Sequence, residues 1–177
     1  MIDTETCLNR RTLILGDVNT GKSRRTYAVL SRWTARNRSN HITVLDMAPA
    51  ACRGIGGRMA LPPNFRGRHL AADVTPPRLT AKNDAEAEQL AAANAAAIEA
   101  LWKPVLDRPS SILIINDATL YLQAGDYERL LQVIQTAPTV LINAYYGDRF
   151  PDSTLTRRER RLTDRLIQDV DQVIWCS

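Results

Sequence analysis

Apolar residues in this chain gather into six short runs, separated by longer stretches whose apolar positions recur every three or four residues. The runs lie at 11–15, 42–46, 69–74, 112–115, 139–144 and 172–176, and each reads as a β-strand. The run at 112–115, Ile-Leu-Ile-Ile, has no polar alternation, which is the pattern of a strand covered on both faces. Helical spacing fills the intervals. A helix is expected over 23–37. Leu90, Asn94, Ile98 and Trp102 share one stripe, Leu130, Leu131 and Ile134 point inward from 127–135, and Leu162 and Leu166 do so from a last helix. Strand and helix in alternation predict an α/β fold, a three-layer sandwich around a largely parallel sheet of five or six strands.

Punctuation along the chain sharpens these boundaries. Asn83 with Glu86, and Thr156 with Glu159, have the spacing of capping boxes, and Asp126 can cap the helix that follows it. Pro104, Pro109, Pro138 and Pro151 mark element ends. The segment 49–80, rich in proline, glycine and arginine, reads as a long functional or disordered loop hanging from the second strand. Neither a repeat nor a linker divides the sequence, so residues 1–177 are expected to form one domain.

Charge is unevenly spread. Residues 1–70 carry 12 Lys/Arg against 4 Asp/Glu, and residues 71–177 carry 11 against 15. The basic portion, with the Arg-Arg-Glu-Arg-Arg run at 157–161, suits phosphates, RNA or an acidic protein partner. Cys7, Cys52 and Cys176 have neither metal-ligand nor redox spacing, and their odd number fits a reducing compartment. No apolar stretch has the length of a membrane span, and the N-terminal residues lack the apolar centre of a secretory signal. A cytoplasmic protein without membrane contact is the expectation.

Residues 16–23 carry the most specific signal. Gly16-Asp17-Val18-Asn19-Thr20-Gly21-Lys22-Ser23 fits G-x-x-x-x-G-K-[ST] between a strand and a helix. Such glycines let backbone N–H groups converge on phosphate oxygens. The lysine supplies a charge to the β- and γ-phosphates, the Ser23 hydroxyl is a ligand for Mg²⁺, and the helix N-terminus favours the same anion. In sequence and setting the segment resembles the P-loop of the P-loop NTPase superfamily. That resemblance implies a bound nucleotide held by residues 16–23, with Arg24 beside them.

The guanine-reading motifs of GTPases are absent, so ATP with Mg²⁺ is the expected ligand. Ser-Ile-Leu-Ile-Ile-Asn-Asp, residues 111–117, resembles the Walker B strand of the RecA-like and AAA-like branch, which ends in an acidic pair for metal and water. In strict register Asn116 takes the metal-side position and Asp117 the catalytic one. Shifted by one, Asp117 serves the metal and Ala118 the other position. Either version alters the acidic pair, and a missing base is worth about 10²–10⁴ in rate, so weak intrinsic hydrolysis is expected.

The same resemblance implies that the strand at 139–144 lies between the Walker B and P-loop strands and offers Asn143 as a γ-phosphate sensor. Arg149 beyond it is a candidate phosphate ligand. Asp46, ending the second strand, is a candidate metal ligand on the ligand-binding edge of the sheet. Tyr121, Tyr145 and Tyr146 are candidates for stacking a base, the Gly-rich run at 54–57 for an anion nest, and His69 for a catalytic group.

Three functions compete on these grounds. One is a slow ATPase or nucleotide switch, stimulated by a partner or by oligomerisation, with Lys22, Asp117 and Asn143 as its chemistry. The second is an ATP-dependent transferase, since the order of elements is similar to that of ATP:corrinoid adenosyltransferases and Gly-Asp-Arg-Phe at 147–150 resembles a motif of deoxynucleoside kinases. The third is a nucleotide-regulated module binding RNA or protein.

Overall fold

The computed structural model describes residues 2–177. Its strands are β1 (Arg11–Gly16), β2 (Ile42–Asp46), β3 (Arg68–Ala71), β4 (Ile112–Asn116), β5 (Thr139–Tyr145) and β6 (Gln172–Cys176). They build one open sheet in the order β3-β2-β4-β5-β1-β6. Every pairing is parallel. The helices are α1 (Lys22–Ala35), α2 (Pro77–Thr80), α3 (Asp84–Glu99), α4 (Trp102–Asp107), α5 (Thr119–Leu122), α6 (Tyr127–Ile134) and α7 (Thr154–Asp169). The fold is therefore the α/β sandwich that the alternation of runs predicts, with the strand of Asn143 seated between β4 and β1.

Connection direction decides which face each helix covers. From β1 to β2 the chain steps one way across β5 and β4, whereas the crossovers β3–β4, β4–β5 and β5–β6 all step the other way. Crossovers of one hand then place α1 on one face and the later helices on the other. The core divides accordingly. Ile14, Val44, Ile112, Ile114 and Leu141 pack with Val29, Leu30 and Trp33 of α1. Leu13, Leu15, Leu45, Leu113, Ile115, Val140 and Ile142 pack with Ile98, Trp102, Leu130, Ile134, Leu162 and Leu166. Alternate residues of each central strand thus serve opposite faces, which is why these strands read as unbroken apolar runs.

Several boundaries depart from the pattern. β3 ends at Ala71 because the chain beyond it is bound to α3. Asn94, the polar member of the apolar stripe, accepts from Thr75 N–H at 2.9 Å and donates to Thr75 C=O at 2.7 Å. The stripe itself spans two helices, since α3 ends at Glu99 and Trp102 opens α4. Asn83 and Asp126 cap their helices, accepting from Glu86 N–H and from Glu128 and Arg129 N–H, while the Glu86 carboxylate of the expected box accepts from Lys82 N–H rather than Asn83 N–H.

The box at Thr156–Glu159 does not form. Ser153 is the cap of α7, its hydroxyl accepting from Thr156 N–H at 3.2 Å, and Glu159 points into the protein. Residues 49–80, expected as a long loop apart from the run at 69–74, hold that strand as β3 and also α2 and a small bridge between Cys52 and Ile55. No helix among the described residues is long and apolar enough to cross a membrane.

Candidate functional site

Parallel strands deliver their C-terminal ends to one edge of the sheet, and open α/β sheets bind ligands there, where neighbouring connections part to opposite faces. A cleft of about 370 Å³ opens at this edge. It is lined by Val18, Asn19, Gly21, Lys22, Ser23 and Arg24 on one side, by Asn116, Asp117 and Asn143 on the floor, and by Arg78, Gln123, Tyr145 and Phe150 on the other.

The 16–23 loop turns tightly between β1 and α1. Asn19 and Gly21 are left-handed, at φ 60° and 85°, and Gly21 is the residue from which α1 starts. Gly16 has no room for a side chain: a Cβ there would lie 2.4 Å from Cys176 C=O and 2.7 Å from Thr20 Oγ1. The Thr20 hydroxyl and Lys22 Nζ both donate to Asp17 C=O, at 2.8 and 2.5 Å. Lys22 is thereby folded over the loop it belongs to. Burial lowers its ammonium below the usual lysine range, and the nearby carboxylates of Asp117 and Asp17 oppose that shift.

A row of buried amide and carboxylate groups forms the floor. Asp46 and Asn116, which end β2 and β4, and Asn143, two residues before the end of β5, lie on the α1 face of three neighbouring strands. Asn116 donates to Asp46 Oδ1 at 2.8 Å and accepts from Asn143 Nδ2 at 2.9 Å. Asn143 also donates to the Thr26 hydroxyl of α1 at 3.0 Å and accepts from Asp117 N–H at 2.9 Å. Asp46 further accepts from Ala48 and Met59 N–H, with His69 Nε2 3.4 Å away. Each member is satisfied by its neighbours, so the row tethers β2, β4, β5 and α1 together beneath the cleft.

Asp117 stands apart from this row. It leaves β4 with φ 59°, a conformation Asp tolerates better than most residues, and Asn143 holds its N–H. The half-buried carboxyl is pushed above the usual aspartate range by loss of surrounding water, against a hydrogen bond from Thr119 and the charges of Arg78 and Lys22. Of the two residues ending the β4 segment, Asn116 spends both amide atoms on its neighbours and Asp117 is the one with charge to offer the cleft.

Ser23 and Asp117 therefore come together on the cleft, and their hydroxyl and carboxylate are the hard oxygen donors that Mg²⁺ prefers. The residues fit the ion: Ser23 and Asp117 would hold it. Asp46 and Asn116, the other two candidates for the metal, are engaged with each other and with the chain around them. No cluster of three His, Cys, Asp or Glu side chains with metal-ligand geometry occurs among the described residues.

Other candidates disperse. Arg149 is exposed and does not line the cleft, its N–H donating to the Tyr145 hydroxyl at 2.8 Å. Tyr121 is buried against Trp102, with ring centroids 4.7 Å apart, and Tyr146 packs on Trp175. Of the three tyrosines only Tyr145 reaches the site. Arg157 pairs with Asp152, Arg158 donates to Gly125 C=O, and Arg160 donates to Gly147 C=O, so most of the arginine run is tied to its own chain.

The far wall contains residues that the motifs do not reach. Arg78 of α2 donates to Glu159 Oε1 of α7 at 3.2 Å and pairs with its Oε2 at 3.0 Å, and its guanidinium lies 4.0 Å from the centre of the Phe150 ring. Gln123 Nε2 donates to Glu159 Oε2 at 3.0 Å. Burial raises Glu159 to about 7, although Arg78 and Gln123 favour its charged form. The one sequence signal for this group was a glutamate inside an otherwise apolar helix face at 155–166, where a solvated residue is out of place. Comparison with protein-family models and with curated proteins finds no match to this sequence.

Proposed function

We propose that this protein binds a nucleoside triphosphate with Mg²⁺ through a P-loop at residues 16–23, ATP being favoured because the guanine-reading motifs are missing, and that it turns the nucleotide over slowly. The observation carrying this reading is the convergence of the glycine-bounded loop, Lys22, Ser23 and Asp117 on one cleft at the start of α1. Lys22, freed from Asp17 C=O, supplies charge to the phosphates. Backbone N–H groups of the loop and the α1 N-terminus complement the same anion.

Mg²⁺, held by Ser23 and Asp117, would neutralise charge on the β- and γ-phosphates. With Asp117 assigned to the ion, Asn116 satisfied by Asp46 and Asn143, and Ala118 beyond, the cleft offers a water molecule no further base. Slow turnover follows. A second reading, transfer to an acceptor other than water, is favoured by the extent of the cleft past Asp117 to Gln123 and Phe150.

Titration with labelled ATP and GTP, with and without Mg²⁺, tests the first reading. ATP should bind more tightly when Mg²⁺ is present, and Asp117→Asn should reduce that metal dependence while leaving metal-free binding in place. Equal binding with and without the ion would contradict it.

A further inference from the structure

Gln123 is 1 % exposed, and its Nε2 donates to Glu159 Oε2, the oxygen that Arg78 also pairs with. Gln123 Oε1 is buried with no hydrogen-bond partner. Among the described residues, it is the one such orphaned side-chain atom on a residue lining the cleft. A buried acceptor left unpaired is costly, and a ligand N–H or O–H at this point would remove the cost.

The surroundings restrict what that ligand can be. Phe150 and Tyr145 meet edge to face with centroids 5.2 Å apart, the planar guanidinium of Arg78 stacks on Phe150, and Leu120 adds apolar surface. A sugar-like polyol would bring several hydroxyls to a wall with one orphaned acceptor, leaving most of them unpaired. An anion would face Asp117, and a cation would face Arg78. What remains is a flat, neutral body with a directed donor.

We propose that this arm of the cleft is a subsite for a neutral nitrogen heterocycle carrying an N–H, which Gln123 Oε1 accepts while the ring packs against Phe150 and Tyr145. The heterocycle is either the base of the bound nucleotide or that of a nucleoside acting as second substrate. The inference rests on the nucleotide reading above, and it extends that reading from the phosphates to the selection of a base.

The test uses the full chain, with ATP, inorganic tripolyphosphate and the four ribonucleosides as probes, for wild type and Gln123→Leu. If the base belongs to the nucleotide, ATP binds more tightly than tripolyphosphate, and Gln123→Leu lowers ATP affinity by about tenfold while sparing tripolyphosphate. If it belongs to a second substrate, ATP binding is unchanged, and a nucleoside that binds the protein loaded with a non-hydrolysable ATP analogue loses about tenfold in the variant.

Phe150→Leu, which leaves the contacts of Glu159 in place, should weaken the same probe, so a folding defect in Gln123→Leu does not decide the result. The proposal is overturned if Gln123→Leu and Phe150→Leu bind ATP and every nucleoside as wild type does. It is equally overturned if ATP and tripolyphosphate bind alike and no nucleoside binds. Absence of Lys22-dependent ATP and tripolyphosphate binding would instead remove the nucleotide reading and the subsite with it.

Discussion

Both amide atoms of Asn143 are committed, Nδ2 to Thr26 and Asn116 and Oδ1 to Asp117 N–H. Leucine at this position would fill similar space yet leave Asn116 Oδ1 and Asp117 N–H without their partner and free the left-handed turn at Asp117. Asn143→Leu should therefore cost at least about 2 kcal/mol, measured as a shift in the urea unfolding midpoint. It should also weaken nucleotide binding, because Asp117 would no longer be aimed at Lys22. A stable variant with intact binding would show that the amide row is not what holds the site. The placement of Lys22 and Ser23 together on the cleft was legible in sequence because the loop is contiguous. The partners of Asn143 are 27 and 117 residues away, and no local pattern encodes them.

At the scale of elements, apolar periodicity identified all six strands and the four longer helices, because a central strand or an amphipathic helix repeats its burial along its length. Short α2, α4 and α5 have too few turns to show a period. The start of α7 illustrates a different difficulty. Thr156 and Glu159 have capping-box spacing, but Ser153 lies one turn earlier and takes the Thr156 N–H, which leaves Glu159 facing Arg78 and Gln123. Local spacing and tertiary packing competed for this glutamate, and the buried ion pair prevailed. Ser153→Ala should destabilise the protein by about 1 kcal/mol, whereas Thr156→Ala, outside the cap position, should cost less. Thermal unfolding of the two variants separates the cap from its sequence imitation.

Across the whole molecule, the cleft gathers Lys22 of α1, Asp117 just beyond β4 and Arg78 of α2, with Glu159 of α7 buried behind Arg78. Glu159 has a pKa of about 7 in the fold against 4.5 for the ordinary side chain, so between these values the folded state binds more protons than the unfolded one. Its contribution is fully present below about pH 4.5 and is lost as pH rises through about 7. Stability from this group should fall over that window. Glu159→Gln, which keeps the shape and removes the titration, should flatten the dependence of the urea midpoint on pH. An unchanged slope would assign the dependence to other groups.

Charge and fold together make the 16–23 loop the centre of the account, since every other group in the cleft is placed relative to it. The most direct measurement is equilibrium binding of labelled ATP with Mg²⁺ to the wild-type chain and to Lys22→Ala. Lys22 lies on the first turn of α1 with its Nζ on a loop carbonyl rather than in the core, so the variant should fold with an unchanged circular dichroism spectrum. The wild type should bind saturably, and the variant should lose at least about tenfold in affinity. Wild-type protein that does not bind ATP, or a Lys22→Ala variant that binds it equally well, would contradict the account.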